Sequence, residues 1–209
     1  MMKTVQNGIY LIIDPSVKRE TLLSKLNEIL SEEIAIIQIW DNFKPNEDPL
    51  EITDEILRLC HKKNIPVLIN NQWQLLKKID LDGVHFDEIQ NNIYEIKHDL
   101  GRKIITGVTC NNDLSVVKWA NDNELNYISF CSMFSSSTAN SCDLVTFKTV
   151  KDARKITSLP IFLAGGIKPE NIEMLNELPY SGIAIVSGIM EADKPSEAIR
   201  IYKQKIKAQ

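Results

Sequence analysis

The chain has 209 residues, a formal net charge of −4 and 25% charged residues. This length suits one sizeable core, so a single domain over residues 1–209 is expected. The acidic balance gives no reason to expect nucleic acid or an anionic membrane as a partner. No apolar signal segment opens the sequence and no apolar run approaches a membrane-spanning length, which predicts a cytoplasmic protein.

Eight apolar segments alternate with helical patterns along the chain. The strands are predicted at 8–13, 34–40, 66–70, 83–86, 104–109, 127–130, 160–164 and 182–186. Helical periodicity or composition predicts helices at 49–63, 72–78, 89–100, 112–121, 145–156 and 195–207, a first helix around Leu22–Leu30, and one beginning at Pro169. This count predicts an α/β protein folded as a single (β/α)₈ TIM barrel. A dinucleotide-type open sheet is disfavoured, because Asp14-Pro15-Ser16 follows the first strand in place of a glycine-rich fingerprint.

Two late strands end in small residues, Gly165-Gly166 and Ser187-Gly188. Glycine lets a ligand approach the bare backbone, and helix N-termini favour anions. A tight turn explains one glycine more easily than two. The pattern therefore predicts a phosphate site at these strand ends, and the alternative is an ordinary turn.

The remaining strand ends carry polar residues with little charge. In a barrel of this kind the chemistry lies at the carboxyl ends of the strands. The candidates are Asp14, Gln38, Trp40, Asn70, Asn71, His85, Thr109, Cys110 and Ser132, with Asp87 and Glu88 just beyond His85. Each also has a structural interpretation: Asp14 as a turn residue, Trp40 as core, and the amides and His85 as satisfied structural groups. The serine-rich run 135–138 is either a solvated loop or a ligand-binding loop. The four cysteines lack zinc spacing and are expected to be reduced and mostly buried.

Across nearly its whole length the chain resembles the thiamine-phosphate synthase family, which includes the thiazole tautomerases. The segments that carry the resemblance are Gly8-Ile9-Tyr10-Leu11-Ile12-Ile13-Asp14, Ile37-Gln38, Val67-Leu68-Ile69-Asn70-Asn71, Asp82-Gly83-Val84-His85, Gly107-Val108-Thr109, Leu163-Ala164-Gly165-Gly166-Ile167 and Ile185-Val186-Ser187-Gly188-Ile189. The resemblance implies that hydroxymethylpyrimidine diphosphate is joined to thiazole phosphate, with release of diphosphate and assistance by Mg²⁺.

The resemblance also implies roles for individual residues. It places the thiazole phosphate on Gly165, Gly166, Ser187 and Gly188, and the pyrimidine near Gln38, Asn70, His85 and Thr109. His85, Thr109 and Ser132 are the implied catalytic positions, Trp40 and Thr138 are further substrate contacts, and Asn71, Asp87 and Glu88 are the positions nearest the metal ligands.

Several positions depart from the family pattern. Trp40-Asp41-Asn42 replaces a stretch with two cations, and Asn71 and Gln90 stand where metal-binding carboxylates are expected. Ala139 replaces a loop lysine, and Ser132 stands where the tautomerases have histidine. Loss of groups that stabilise a departing diphosphate slows such reactions.

Three functions are therefore compatible with the sequence. The first is a divergent thiamine-phosphate synthase. The second is a non-catalytic protein that binds thiamine phosphate or thiazole phosphate. The third is another small-phosphate enzyme that uses His85, Cys110 or Cys131 as acid or base. All three predict small-molecule phosphate ligands as partners, and the chain is a possible homo-oligomer.

Overall fold

Eight parallel strands close into a barrel in the computed structural model, which describes residues 4–45, 47–135 and 143–206. The strands are β1 (Gly8–Ile13), β2 (Ile36–Ile39), β3 (Val67–Asn70), β4 (Gly83–Phe86), β5 (Ile105–Thr109), β6 (Tyr127–Cys131), β7 (Ile161–Ala164) and β8 (Gly182–Ile185). Each strand pairs with its neighbours in sequence, and β8 returns to β1. The predicted (β/α)₈ barrel is confirmed.

Helices surround the barrel. They are α1 (Arg19–Ile29), α2 (Pro49–His61), α3 (Ile93–Leu100), α4 (Leu114–Asp122), α5 (Phe147–Ile156), α6 (Ser187–Met190) and α7 (Pro195–Lys205). Side-chain caps begin three of them: Asp48 accepts from the Leu50 amide, Asp113 from Ser115, and Thr146 from Thr149. Each cap satisfies an amide that has no acceptor inside its own helix. No helix in the described part of the chain is both long and apolar enough to cross a membrane.

Two predicted helices are wrong in type. The segment predicted as a helix at 72–78 is a 3₁₀ helix, Trp73–Lys77, because only residues 71–82 connect β3 to β4. Pro169 does not begin a helix either, since it lies in a turn and a 3₁₀ helix, Ile172–Glu177, follows. In contrast, the predicted polar turn after β8 contains the short helix α6.

Other differences concern the ends of elements. The helix predicted at 89–100 begins only at Ile93, and the helix predicted at 145–156 begins at Phe147, after its Thr146 cap. Four strands, β3, β5, β7 and β8, are one residue shorter than predicted, β2 is three residues shorter, and β6 is one residue longer. Capping and turn geometry decide these boundaries more than apolar content does.

The core has two layers. A large cluster fills the space between strands and helices, with Leu11, Ile37 and Val84 among its fully buried members. A smaller cluster fills the barrel itself, including Tyr10, Tyr127 and Phe162. Gly107 permits this packing, because a Cβ there would lie 2.1 Å from the Tyr127 ring. The interior cluster therefore fills the barrel with side chains below the carboxyl ends of its strands.

Candidate functional site

A cavity of about 560 Å³ opens at the carboxyl ends of the strands. Every strand of the barrel contributes a residue to its wall, either directly or through the loop that follows the strand. This is where barrels of this kind bind ligands, because the loops after the strands converge there. The volume is that of a small-molecule site.

A row of hydrogen-bonded side chains forms the cavity floor. The Tyr10 hydroxyl donates to Oε1 of Gln38 and lies 2.7 Å from the Tyr127 hydroxyl. Tyr127 in turn lies 2.8 Å from Nδ1 of His85, and the two rings stack with centroids 5.6 Å apart. On the far side, Nε2 of His85 lies 2.9 Å from Oγ1 of Thr109. The row therefore links β1, β2, β4, β5 and β6 across the barrel.

The direction of these hydrogen bonds follows from the number of protons available. Because the single proton of Tyr10 is donated to Gln38, the Tyr127 hydroxyl must donate to Tyr10. Tyr127 then accepts from Nδ1–H of His85, so a neutral His85 accepts at Nε2 from Thr109. The row thereby selects the tautomer of His85 with its proton on Nδ1.

Burial keeps these groups uncharged. Loss of hydration lowers the pKa of His85 to about 4, and the nearby Asp87 carboxylate opposes that shift only in part. Burial likewise raises the pKa of the Tyr10 and Tyr127 hydroxyls well above the ordinary value. At neutral pH the floor of the cavity is thus a set of neutral donors and acceptors.

Two amides extend the row to a carboxylate. Nε2 of Gln38 donates to Oδ1 of Asn70 at 2.7 Å, and Nδ2 of Asn70 donates to Oδ1 of Asp87 at 3.1 Å. Each amide nitrogen has two protons and uses one of them in these contacts. The second proton of each amide suits an acceptor on a heteroaromatic ring. Asp87 is exposed and places a negative charge at this edge of the cavity.

The neighbouring position does not fit the divalent cation that the sequence resemblance implies. Nδ2 of Asn71 lies 2.9 Å from a carboxylate oxygen of Asp41 and 2.8 Å from one of Asp87. An ion between these carboxylates would need the space that the amide nitrogen takes. In the described residues, no group of three or more His, Cys, Asp or Glu side chains is placed to hold a metal ion.

The opposite edge of the cavity is formed by the glycine turn after β7. Gly165 and Gly166 have φ of +86° and +65°, a region that disfavours residues with a side chain. A Cβ on Gly165 would lie 2.6 Å from Cα of Ser132, and one on Gly166 would lie 2.5 Å from the carbonyl oxygen of Phe134. The turn therefore requires both glycines, whereas the sequence pattern predicted that a turn would explain only one.

The same turn is held from behind by two side chains. Asn171 donates to the carbonyl oxygen of Gly166 at 2.9 Å and accepts from the Lys168 amide at 2.8 Å. The Tyr202 hydroxyl donates to the carbonyl oxygen of Ile167 at 3.2 Å. These contacts fix the backbone path that faces the cavity.

The β8 end completes this edge. Ser187 and Gly188 line the cavity as the first two residues of α6, where backbone amides have no acceptor inside the helix. Lys168 also lines the cavity, and it is the one cation among the lining residues that the structure describes. The cavity therefore has Asp87 on one side and Lys168 with the small residues on the other.

Most predicted site residues meet in this cavity. Its wall includes Gln38, Trp40, Asn70, His85, Asp87, Thr109, Gly165, Gly166, Ser187 and Gly188. Ser132 is not brought into the cavity: it is 1% exposed and packs behind Gly165. Glu88 is exposed and outside the wall, and Asn71 lies behind Asp87. Thr138 and the serine-rich run from Ser136 lie outside the described residues.

The two candidate thiols differ in access. Cys131 lines the cavity and is half buried, whereas Cys110 is 1% exposed. Burial raises the pKa of the Cys110 thiol to about 12. A thiol that stays protonated at neutral pH is a poor nucleophile or base. Cys110 is therefore unsuited to the acid–base role considered from the sequence.

Sequence reasoning missed four residues of the site: Tyr10, Tyr127, Ser129 and Lys168. Strand alternation could have found two of them, because Ser129 is two residues from Tyr127 and both face the barrel interior. No local signal links Tyr10 to Tyr127, since their contact depends on the closed barrel.

The fold and cavity define a (β/α)₈ barrel with a small-molecule site at its carboxyl-terminal mouth. Residues 9–189 match the family described as thiamine monophosphate synthase. The chain belongs to this family. Among the relatives named thiamine-phosphate synthase, the Pelagibacter ubique protein is 30% identical over 93% of this chain and 95% of its own length. The Picrophilus torridus protein is 29% identical over 96% and 97%.

A solved structure gives the same fold. Thiamine phosphate pyrophosphorylase from Pyrococcus furiosus superposes with a TM-score of 0.81 over 97% of this chain and 98% of that chain. Its sequence identity is 19%, so this likeness speaks for the fold alone.

Proposed function

We propose that the chain is a thiamine-phosphate synthase that couples a pyrimidine diphosphate to a thiazole phosphate in thiamine biosynthesis. One observation carries the proposal: a single cavity joins a neutral hydrogen-bonding floor to an edge of glycine and serine that suits a phosphate. The family assignment over residues 9–189 supports the same activity.

The floor suits the pyrimidine. Gln38 and Asn70 each have an amide proton free for a ring acceptor, and their carbonyl oxygens lie in the same row. A site of this kind rejects a ring that lacks the matching acceptors, because its buried amides would lose their partners. The Asp87 carboxylate lies at the end of the row, where it would stabilise an exocyclic amino group or positive charge on the ring.

The opposite edge suits the phosphate. Backbone amides of Ser187 and Gly188 and the ammonium group of Lys168 are groups that pair with phosphate oxygens. Gly165 and Gly166 keep side chains away from the same space. The thiazole phosphate would thus lie beside the pyrimidine, with its phosphate directed towards β7 and β8.

The proposed reaction forms one bond and breaks one. The thiazole nitrogen forms a C–N bond to the methylene carbon of the pyrimidine, and the C–O bond to the diphosphate breaks with its electron pair leaving on the diphosphate. The thiazole becomes a thiazolium cation. The contribution of this chain is orientation, since holding two reactants together supplies a large part of such a rate enhancement.

The test is direct. The full chain is incubated with both precursors, and thiamine phosphate is measured by mass spectrometry. We expect product with the wild type and a large loss with Gln38→Ala, because the floor loses its central amide. Gln74→Ala is the matched control, since Gln74 is exposed in the 3₁₀ helix after β3 and is not among the residues that line the cavity. Absence of product from a folded wild type that binds both precursors would refute the synthase.

A second candidate is a protein that binds thiamine phosphate or thiazole phosphate without turnover. The charge at the β1–β4 edge favours it. The carboxylates of Asp14, Asp41 and Asp87 lie at this edge, and each accepts a hydrogen bond from an asparagine side-chain amide. Carboxylates repel a diphosphate, so this edge is better suited to a ligand that lacks one. Saturable binding of thiamine phosphate together with no product in the coupling assay would establish this function.

A further inference from the structure

The orientation of the Asn71 side chain is fixed by three contacts. Its Nδ2 donates to Asp41 and Asp87, while its Oδ1 accepts from the backbone amide of Asp87 at 3.0 Å. Rotating the amide by half a turn would face its oxygen towards two carboxylate oxygens and its NH₂ towards an N–H donor. All three contacts would become repulsive. The NH₂ group therefore stays between the two carboxylates.

The backbone holds Asn71 in this position. Its φ is +51°, a conformation that asparagine accepts more readily than most residues, and its amide donates to the carbonyl oxygen of His85 at 2.8 Å. The side chain consequently starts from a fixed point beside β4, within reach of both loops that carry the carboxylates.

The loop after β2 contains a similar contact between an asparagine amide and a carboxylate. Nδ2 of Asn42 lies 3.2 Å from both carboxylate oxygens of Asp14 and 3.2 Å from Oγ of Ser16. In both places a neutral amide meets a carboxylate that a cation could otherwise pair with. Asn42 directly follows Asp41, so the two contacts lie side by side at the mouth of the barrel.

We propose that Asn71 makes the mouth of this barrel independent of divalent cations, because its amide occupies the position between Asp41 and Asp87 that an ion would take. This goes beyond the proposed function, since it applies equally to a synthase and to a non-catalytic binder. The resemblance implied a magnesium site at Asn71, Asp87 and Glu88, and this proposal replaces that expectation.

The experiment measures metal binding directly. Mn²⁺ is used as a paramagnetic probe, and its free concentration is followed by electron paramagnetic resonance during titration of the full chain. We expect no saturable site in the wild type. Asn71→Asp removes both donors and adds a third carboxylate, and we expect it to gain one saturable Mn²⁺ site per chain, because hard cations prefer carboxylate oxygens. Asn92→Asp adds the same charge at an exposed position and should gain none.

A second measurement uses only the wild type, so it does not depend on how the variant folds. The affinity for thiamine phosphate is measured by calorimetry in Mg²⁺ and in EDTA, and we expect equal values. A saturable Mn²⁺ site in the wild type, weaker binding in EDTA, or a folded Asn71→Asp protein without Mn²⁺ binding would each overturn the proposal. Failure of the coupling assay would refute only the synthase activity. The Mn²⁺ titration would still show whether Asn71 excludes a divalent cation.

Discussion

The hydroxyl oxygens of Tyr10 and Tyr127 lie 2.7 Å apart inside the barrel, although 117 residues separate them in sequence. Both rings also contact Phe162 edge to face, with centroids 5.3 and 5.5 Å away. This pair joins the interior core to the floor of the cavity. Changes to either hydroxyl should therefore affect both stability and ligand binding.

Tyr127→Phe should destabilise the protein by about 1–3 kcal/mol, because it removes the acceptor of the buried Nδ1–H of His85 and one of the two hydrogen bonds of the Tyr10 hydroxyl. Urea unfolding measures the change. Tyr94→Phe is the matched control, since Tyr94 is 66% exposed on α3 and should alter stability little. Equal effects of the two substitutions would show that the hydroxyl row contributes nothing to the fold.

The pH dependence of stability should reflect His85. Its pKa falls from 6.5 to about 4 on folding, so the folded protein binds fewer protons than the unfolded chain between these values. Stability is therefore fully present above pH 6.5 and decreases as the pH falls towards 4, by up to about 3 kcal/mol from this group.

Nuclear magnetic resonance can test the same residue. The ring signals of His85, assigned by their loss in His85→Gln, should remain those of a neutral Nδ1–H tautomer between pH 8 and pH 5.5. A midpoint near the ordinary value of 6.5 would contradict the effect of burial on the pKa of His85, and an Nε2–H tautomer would contradict the direction of the hydrogen-bond row.

Lys168→Met should weaken binding of thiazole phosphate by about tenfold, the order expected for one charge-assisted hydrogen bond to a phosphate. Binding of the thiazole alcohol, which lacks the phosphate, should not change. Lys118→Met, an exposed lysine on α4, is the control. If both ligands lose affinity equally, Lys168 does not recognise the phosphate.

Gly166→Ala should cost more stability than Gly101→Ala. Both positions have positive φ, +65° and +59°, so each substitution carries a similar backbone strain of about 1–2 kcal/mol. A Cβ on Gly166 also meets the Phe134 carbonyl oxygen at 2.5 Å, whereas nothing lies within 4 Å at Gly101. Thermal unfolding of the two variants isolates the cost of the close contact; similar losses would show that the 132–135 segment moves aside freely.

Sequence patterns alone predict the barrel and many of the polar residues at its mouth. Apolar segments buried on both faces predict parallel strands, and the carboxyl ends of such strands must meet at one end of the barrel. Gln38, Asn70, His85 and Thr109 are predicted at the mouth for this reason, and all four line the cavity.

The hydrogen-bond partners of these residues follow from tertiary contacts that sequence patterns do not reveal. The Tyr10–Tyr127 contact depends on strand register around a closed barrel, and the packing of Gly165 against Ser132 depends on how two loops approach each other. The orientation of Asn71 depends on acceptors from two other loops. Sequence patterns report which way a residue faces within its own element, whereas hydrogen-bond direction and close approach arise between elements far apart in the chain.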